Sequence, residues 1–349
     1  MYNLPFEFLT QIAKLMSEYD VVALGNALVD KEFLVSEAFL AEQGIEKGVM
    51  TLVDRDEQLK LLENLYQHCD LRKRAGGGSA VNSMVTAAQF GSKVFCCCKV
   101  GDDELGQFYR QDLAAAGVDS RLKEQATKGD TGRCVVMITP DTERTMCTFL
   151  GVTTDFSVAE LHQQPLKKAK YLYIEGHLVY SDTAVEAILE AKRAARKAGV
   201  KVALTFSDPA VVKYARENLE KVIGDDGIDL LFCNKDEVID YSDNQDLDTG
   251  IEKLKQVADL IVVTHGKHGA RIYNGAENYL PVEPCKVKAV DATGAGDTFA
   301  GAFLHGITQG LSLQQAGDLA SRAASECVAS FGPRLPFELQ QDILDEFNQ

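Results

Sequence analysis

The sequence lacks any run of about 20 apolar residues, the length that a helix needs to cross a membrane. Its start contains Glu7 and is not basic, so it is a poor secretory signal. Positive charge is also scarce, because 36 lysines and arginines stand against 52 aspartates and glutamates, a net charge of -16. Such a surface repels nucleic acid and anionic lipid, so we expect neither as a partner.

Two motifs with well-known chemistry are absent as well. The nine cysteines include no C-x-x-C pair, and G-x-x-x-x-G-K-[ST] occurs nowhere, which excludes a P-loop. Cys96, Cys97 and Cys98 are consecutive within an apolar run, and consecutive strand residues point to opposite faces. They therefore cannot form one metal cluster, and we expect reduced, buried thiols in a cytoplasmic protein.

Apolar residues make up 46% of the 349, which is ample for a large core. Short apolar runs alternate with helical patterns along most of the chain. The predicted strands are residues 19–25, 93–100, 171–175, 200–205, 230–233 and 260–264. The predicted helices are residues 56–69, 103–116 and 182–198, one that Ser79 caps, and further helices from Gly296 onward. This alternation predicts an α/β fold whose mainly parallel sheet is covered by helices on both faces.

Two stretches interrupt the alternation. Residues 31–54 and 131–153 are rich in β-forming residues, and no helical pattern separates their strands. We predict that they form a small antiparallel sheet, a lid attached to the main domain. The main domain then comprises residues 17–30, 55–130 and 154–349, and residues 1–16 are an N-terminal extension.

The most informative segment is Asp-Ala-Thr-Gly-Ala-Gly-Asp at residues 291–297. Its glycines permit a tight turn, and a helical pattern follows directly. The amides of Gly294, Ala295 and Gly296 would then point outward from the helix N-terminus and form an anion hole for a phosphoryl group. Asp297, in the first turn, could take the proton from an attacking hydroxyl.

Taken alone, this segment also has a plainer interpretation. An aspartate in a first helical turn often only stabilises the helix dipole, and glycine before a helix often only makes a turn. A dinucleotide-binding loop is excluded, because Phe299 replaces the third glycine of G-x-G-x-x-G.

The segment resembles the D-T-x-G-A-G-D signature of the ribokinase-like (PfkB) carbohydrate and nucleoside kinases. Four further stretches resemble motifs of that family in the same order. They are Gly-Gly-Ser-Ala-Val-Asn at 77–82, Lys-Val-Gly-Asp-Asp-Glu-Leu-Gly at 99–106, Asn-Lys-Asp-Glu at 234–237 and Thr-His-Gly-Lys-His-Gly at 264–269. The agreement in order and spacing runs from about Tyr19 to about Pro336, which is most of the chain.

The resemblance implies a three-layer α/β/α domain with a mainly parallel central sheet and a small β-sheet lid. It also implies an enzyme that uses ATP and Mg²⁺ to phosphorylate a primary hydroxyl, with K⁺ as a further ion in some members. The positions that match the ATP and metal sites are Asp297 as base, Gly294, Ala295 and Gly296 as the anion hole, Arg144 and Asn234 at the phosphates, Thr264, Gly266 and Gly269 in the nucleotide loop, Glu237 at Mg²⁺ through water, and Asp291 and Thr293 at the monovalent cation. Without the resemblance, Glu237 would be a solvated helix residue and Arg144 a surface arginine in a hairpin.

The substrate-binding positions that match are Asn26, Asp30, Gly77, Gly78, Ser79 and Asn82. A carboxylate such as Asp30 accepts hydrogen bonds from two vicinal hydroxyls, although on its own it would be only a polar residue ending a strand. Ribokinase proper has lysine at the position of Ser79, whereas adenosine-kinase-like members have serine. The resemblance therefore favours a nucleoside, phosphorylated at the 5′-hydroxyl, with adenosine as the leading candidate.

Three alternatives stay open at this point. The substrate could be another nucleoside such as inosine or guanosine, or a sugar such as ribose, fructose or 2-keto-3-deoxygluconate. The chain could also be a non-catalytic binding protein on the same fold, which the complete motif at 294–297 argues against. Members of this family occur as monomers and as homodimers, and we expect one of these states.

Overall fold

A computed structural model describes residues 17–124, 127–141, 143–276 and 278–347 of the chain. The predicted N-terminal extension, residues 1–16, lies outside these described residues. Their helices span Glu37–Glu42, Arg55–His68, Ser79–Gln89, Glu104–Ala115, Gln163–Lys167, Asp182–Ala198, Pro209–Tyr214, Arg216–Ile223, Lys235–Ser242, Leu247–Leu254, Ala295–Gln309, Leu313–Val328 and Leu339–Phe347. In the described part of the chain, no helix is both long and apolar enough to cross a membrane.

The strands, in chain order, are β1 Tyr19–Leu24, β2 Leu28–Leu34, β3 Met50–Leu52, β4 Leu71–Gly77, β5 Val94–Cys97, β6 Gly132–Ile138, β7 Arg144–Phe149, β8 Ala169–Glu175, β9 Lys201–Thr205, β10 Ile228–Asn234, β11 Ala258–Thr264, β12 Ala270–Tyr273 and β13 Leu280–Val282. Eight of them form the large sheet in the order β13-β12-β11-β10-β9-β8-β1-β5. The six from β5 to β11 run parallel, and β12 and β13 add an antiparallel edge that the sequence did not predict.

The large sheet is buried on both faces. Along β1, Val21 and Ala23 pack into one apolar core, whereas Val22 and Leu24 pack into a second core on the opposite face. Alternate side chains of a strand point to opposite faces, so the apolar runs supply both cores at once. The predicted three-layer α/β/α fold with a mainly parallel sheet is confirmed.

The five remaining strands form a second, small sheet in the order β3-β7-β6-β2-β4. This sheet is mixed rather than antiparallel as predicted, because β2 runs parallel to β6 and β3 runs parallel to β7. Strand β4 lies outside the two predicted stretches. Its Arg-Lys-Arg centre at residues 72–74 is partly exposed, so it lacks the apolar pattern of a buried strand.

A helix does lie within the first predicted lid stretch, since Ser36 caps the short helix Glu37–Glu42. The helix Arg55–His68 covers the outer face of the small sheet. Leu61, Leu62 and Leu65 of this helix share an apolar core with Phe33 and Val135 of the sheet. Asp30 and Glu32 alternate with these strand residues, so they lie on the opposite face of the small sheet.

Candidate active site

The candidate site is built around the start of the helix Ala295–Gln309. Gly294 precedes the helix with φ of 73°, and a Cβ there would lie 1.9 Å from the Pro333 carbonyl oxygen. Only glycine therefore fits this turn. Of the three predicted anion-hole amides, that of Ala295 lies 3.3 Å from the Ala292 oxygen. Those of Gly294 and Gly296 have no hydrogen-bond acceptor within the described residues, so they are available to an anion.

The Asp297 carboxylate is held by two donors from a different helix. Ser79 Oγ donates to Oδ1 at 2.6 Å, and Asn82 Nδ2 donates to Oδ2 at 3.1 Å. Burial raises the pKa of Asp297 to about 6, and the two hydrogen bonds oppose this rise. The carboxylate is thus mostly ionised at pH 7 and able to accept a proton.

Ser79 does not cap its helix, which corrects the sequence prediction. The N-cap is Gly78, with φ of 103°, and Ser79 is the first helical residue. Its hydroxyl contacts Asp297, which is 218 residues away in the chain. A local pattern could not reveal that long-range contact. A Cβ at Gly78 would lie 2.1 Å from the Asn26 carbonyl oxygen, which explains the glycine.

Asp30 lies at the edge of the same site, on β2. A Cβ at Gly77 would lie 2.6 Å from each carboxylate oxygen of Asp30, so glycine at 77 makes room for this carboxylate. Burial raises the pKa of Asp30 to about 7, and the charge of Arg334 opposes that rise. The negative charge of Asp297 also raises the pKa of Asp30, so the two carboxyl groups lie within electrostatic reach of one another.

Asn26 has a supporting position in the structure. Its Nδ2 donates to Glu175 Oε1 at 2.9 Å, and its Oδ1 accepts from Thr153 Oγ1 at 3.1 Å. Glu175 Oε2 in turn accepts from the Ala80 amide at 2.9 Å, next to the start of the Ser79–Gln89 helix. Both amide atoms of Asn26 are therefore engaged within the protein, and it holds the helix that carries Ser79.

Two residues of this network were missed by the sequence analysis. Glu175 ends β8, and burial raises its pKa to about 7. Arg334 follows Gly332 and Pro333 in a C-terminal loop, and its Nε donates to Asn82 Oδ1 at 3.0 Å. The available signal for Glu175 was a carboxylate at the end of an apolar strand pattern, whereas Arg334 belongs to none of the recognised motifs.

The predicted nucleotide loop and anion hole meet in one cleft of about 650 Å³. Thr264, Gly266 and Gly269 line one part of it, and Ala295 and Gly296 line another. The remaining lining is mostly small or apolar and comprises Lys267, Pro284, Cys285, Lys286, Val287, Ala289, Ala292, Phe299, Ser321, Ala324, Ser325 and Val328. The cleft is large enough for a nucleotide, and the free amide of Gly296 belongs to its lining.

Asn234 and Glu237 form a capping box at the start of the helix Lys235–Ser242. Glu237 accepts from the Asn234 amide at 2.8 Å and from its Nδ2 at 3.0 Å, and it is 3% exposed. Burial raises the pKa of Glu237 to about 8. No group of three or more acidic, histidine or cysteine side chains in the described residues could hold a metal. Mg²⁺ fits only as an ion bound chiefly by nucleotide phosphates and water.

The surroundings of Asp291 do not fit a free monovalent cation. The Asp291 carboxylate accepts from the amides of Thr293 at 2.9 Å and Gly332 at 2.8 Å, and it also contacts the Arg144 guanidinium. Arg144 lies 3.8 Å from Glu32 of the small sheet as well. Arg144 therefore joins the small sheet to the main domain and is not among the residues that line the cleft.

Comparisons with known proteins indicate the family to which the chain belongs. Residues 45–340 match the family model described as pfkB family carbohydrate kinase. An adenosine kinase of Saccharomyces cerevisiae is 29% identical over 338 residues, 91% of this chain and 97% of its own. A 5-dehydro-2-deoxygluconokinase of Clostridium perfringens is 27% identical over 268 residues, 73% of this chain and 78% of its own.

Among solved structures, the adenosine kinase of Sinorhizobium meliloti superimposes with a TM-score of 0.86 at 32% identity. That match covers 95% of this chain and 100% of the other. The family model alone spans well over half of the sequence. The chain therefore belongs to the pfkB family of carbohydrate kinases and is an ATP-dependent phosphotransferase with a hydroxyl group as acceptor.

Proposed function

We propose that this enzyme transfers the γ-phosphoryl group of ATP to the 5′-hydroxyl of a nucleoside, with adenosine as the leading substrate. The observation that carries the proposal is the position of the Asp297 carboxylate. It is held by Ser79 and Asn82 at a helix N-terminus whose neighbouring amides line the nucleotide cleft. We also propose a reducing, cytoplasmic setting, which the nine free cysteines favour.

In the proposed reaction, Asp297 accepts the proton of the primary hydroxyl while its oxygen attacks the γ-phosphorus. The bond between the γ-phosphorus and the β,γ-bridging oxygen breaks, and ADP leaves. The free amides of Gly294 and Gly296 stabilise the negative charge of the transferring group. Mg²⁺ bound with ATP would supply positive charge at the phosphates, and the role we propose for Glu237 is to hold waters of that ion. We do not include K⁺, because the Asp291 carboxylate already has three donors.

The electrostatics of the acceptor side favour a neutral acceptor. Two cations lower the pKa of Asp30, namely Arg334 and Arg144, and both are paired with carboxylates, Asp112 and Asp291. Within the described residues, Arg334 Nη2 and Arg144 Nη1 have no hydrogen-bond partner, but both atoms are buried, and a Cβ at Gly76 would lie 2.8 Å from Arg334 Nη2. A sugar acid would thus meet Asp30 and Asp297, and in the described residues the two cations that lower the pKa of Asp30 are already paired with carboxylates. This supports a nucleoside or neutral sugar over 2-keto-3-deoxygluconate or 5-dehydro-2-deoxygluconate.

A neutral sugar is the second candidate. Serine at position 79 is the residue that adenosine-kinase-like members have. In this structure its hydroxyl donates to Asp297, so it has a role that does not depend on the acceptor. Its identity therefore discriminates less strongly between a nucleoside and ribose or fructose than the sequence suggested.

The test is release of ADP from Mg·ATP with adenosine, inosine, guanosine, ribose, fructose, 2-keto-3-deoxygluconate and 5-dehydro-2-deoxygluconate as acceptors. The proposal predicts kcat/KM for adenosine at least tenfold above that of any sugar. Turnover with a sugar alone would move the enzyme to the second candidate. Preference for a sugar acid would contradict the electrostatic argument.

A further inference from the structure

Arg334 contacts Asn82, one of the two residues that hold the carboxylate of the proposed base. Its side chain is only 13% exposed, and its Nη1 donates to Asp112 Oδ2 at 2.6 Å. Its Nε donates to Asn82 Oδ1 at 3.0 Å, and Asn82 Nδ2 donates onward to Asp297 Oδ2 at 3.1 Å. A continuous chain of hydrogen bonds thus joins Asp112, Arg334, Asn82 and Asp297.

This chain determines which way the Asn82 amide faces. A guanidinium has only donors, so the atom of Asn82 that faces Arg334 has to be the oxygen. The amide nitrogen is then directed at the carboxylate of Asp297, where a donor is required. Without Arg334 the amide could rotate and bring its oxygen against the carboxylate, and two acceptors would repel one another.

Arg334 also acts through its charge. Burial raises the pKa of Asp297 to about 6, and the positive charge of Arg334 opposes the rise. Among the charges around Asp30, Arg334 lowers its pKa the most. Loss of this cation would raise the pKa of both carboxyl groups further. More of the base would then be protonated near neutral pH and unable to accept the proton of the hydroxyl.

We propose that Arg334 is a positioning residue for phosphoryl transfer, which orients Asn82 toward Asp297 and keeps that carboxylate ionised at neutral pH. The inference rests on the proposed role of Asp297 as base. It does not depend on which acceptor is the natural one, because the hydrogen bonds from Asp112 through Arg334 and Asn82 to Asp297 involve protein side chains alone.

Other titratable groups face this network and have to be separated from it. They are Asp30 on β2, Cys96 on β5, Tyr109 and Asp112 on the helix Glu104–Ala115, Tyr173 and Glu175 on β8, and Cys327 on the helix Leu313–Val328. Burial raises the pKa of these thiols and phenols above their ordinary values, so they stay protonated near neutral pH. Asp30 and Glu175, each with a pKa of about 7, titrate close to Asp297.

The experiment is the pH profile of kcat/KM from pH 5 to 9 for wild type, Arg334→Gln and Arg334→Lys. It uses the best acceptor of the wild-type enzyme and is repeated in an Asp30→Asn background to remove that titration. For Arg334→Gln we expect the acid limb of the profile to move to higher pH by about one unit. At pH values on that limb, kcat/KM should then be roughly tenfold lower than in wild type. For Arg334→Lys we expect an unshifted acid limb, because lysine keeps the positive charge. We expect a lower kcat at every pH, because lysine cannot donate to Asn82 and Asp112 with the geometry of a guanidinium.

The KM for ATP should stay within about twofold of wild type, because Arg334 does not line the nucleotide cleft. An unshifted limb in Arg334→Gln, with equal losses at all pH values, would overturn the proposal and leave Arg334 a structural role. If circular dichroism shows that Arg334→Gln does not fold, Arg334→Lys becomes the test. A wild-type kcat in Arg334→Lys would contradict the proposed role of Arg334 in orienting Asn82. Absence of wild-type turnover with adenosine would instead contradict the proposed substrate and leave Arg334 testable with another acceptor.

Discussion

The two sides of the active site are built in different ways. On the acceptor side, the Asp297 carboxylate accepts hydrogen bonds from Ser79 and Asn82, and burial raises the pKa values of Asp30 and Asp297. On the nucleotide side, a cleft of about 650 Å³ is lined mostly by small and apolar residues, and the free amide of Gly296 belongs to its lining. The first side uses fixed side-chain charges, whereas the second uses shape and backbone.

This difference predicts a separation of functions. Substitutions on the acceptor side should change turnover and its pH dependence, because they alter ionised groups near the reacting hydroxyl. Substitutions in the cleft should change ATP affinity and leave the chemical step nearly intact, because they alter uniform binding. Each prediction below tests that separation.

The largest of these effects is expected for Asp30→Asn. The variant loses the charged acceptor that would bind vicinal hydroxyls, so we expect kcat/KM for adenosine to fall by about 10²-fold. The KM for ATP should change by less than about twofold. Steady-state kinetics with each substrate varied in turn checks this, with Asp70→Asn, an exposed aspartate just before β4, as the control. An equal rise in the KM for ATP and the KM for adenosine would contradict the separation of functions between the two sides of the site.

A smaller effect is expected on the other side from Ala324→Leu. Ala324 lines the cleft, so a larger side chain there should occupy space that the nucleotide needs. We expect the KM for ATP to rise about tenfold, with the KM for adenosine and the acid limb of the pH profile unchanged. Ala115→Leu, on an exposed helix position, is the matched control. A shift of the acid limb in Ala324→Leu would contradict the account.

The smallest effect concerns stability rather than catalysis. Glu237 has its pKa raised from 4.5 to about 8, so the folded state binds its proton more tightly than the unfolded state. Its contribution to the free energy of unfolding therefore falls as pH rises from about 4.5 to about 8. Glu237→Gln cannot titrate, so its Tm should fall less than that of wild type between pH 5 and 8. Thermal unfolding checks this, with the exposed Glu63→Gln as control, and parallel curves would contradict it.

Much of the fold was predictable because its cause is local. The apolar runs of the parallel strands and the helical pattern at 182–198 are readable in sequence, and the helix Asp182–Ala198 agrees with the prediction. Strand β4 was missed because its Arg-Lys-Arg centre is partly exposed and lacks a buried-strand pattern. The mixed pairing of the small sheet depends on long-range register, which periodicity does not determine.

The site could be predicted only in part, for the same reason. The glycines at 77, 78 and 294 were named as site positions from the sequence motifs, and the structure adds at each a close approach that leaves no room for a Cβ. The contact of Arg144 with Asp291 crosses 147 residues, and that of Arg334 with Asn82 crosses 252. No local pattern encodes such pairs. The predicted roles of Arg144 and Glu237 at the nucleotide stay predictions.

The most direct test of the account is single-turnover phosphoryl transfer by Asp297→Asn, with excess enzyme over Mg·ATP and saturating adenosine, alongside equilibrium binding of ATP. Asparagine keeps the size of the side chain and can still accept a hydrogen bond, but it cannot take the proton of the hydroxyl. The account predicts a rate of phosphoryl transfer at least about 10²-fold below wild type, with ATP affinity within about twofold. A near-normal rate would contradict the assignment of Asp297 as the base, and an equal loss of ATP affinity would contradict the separation of the two sides.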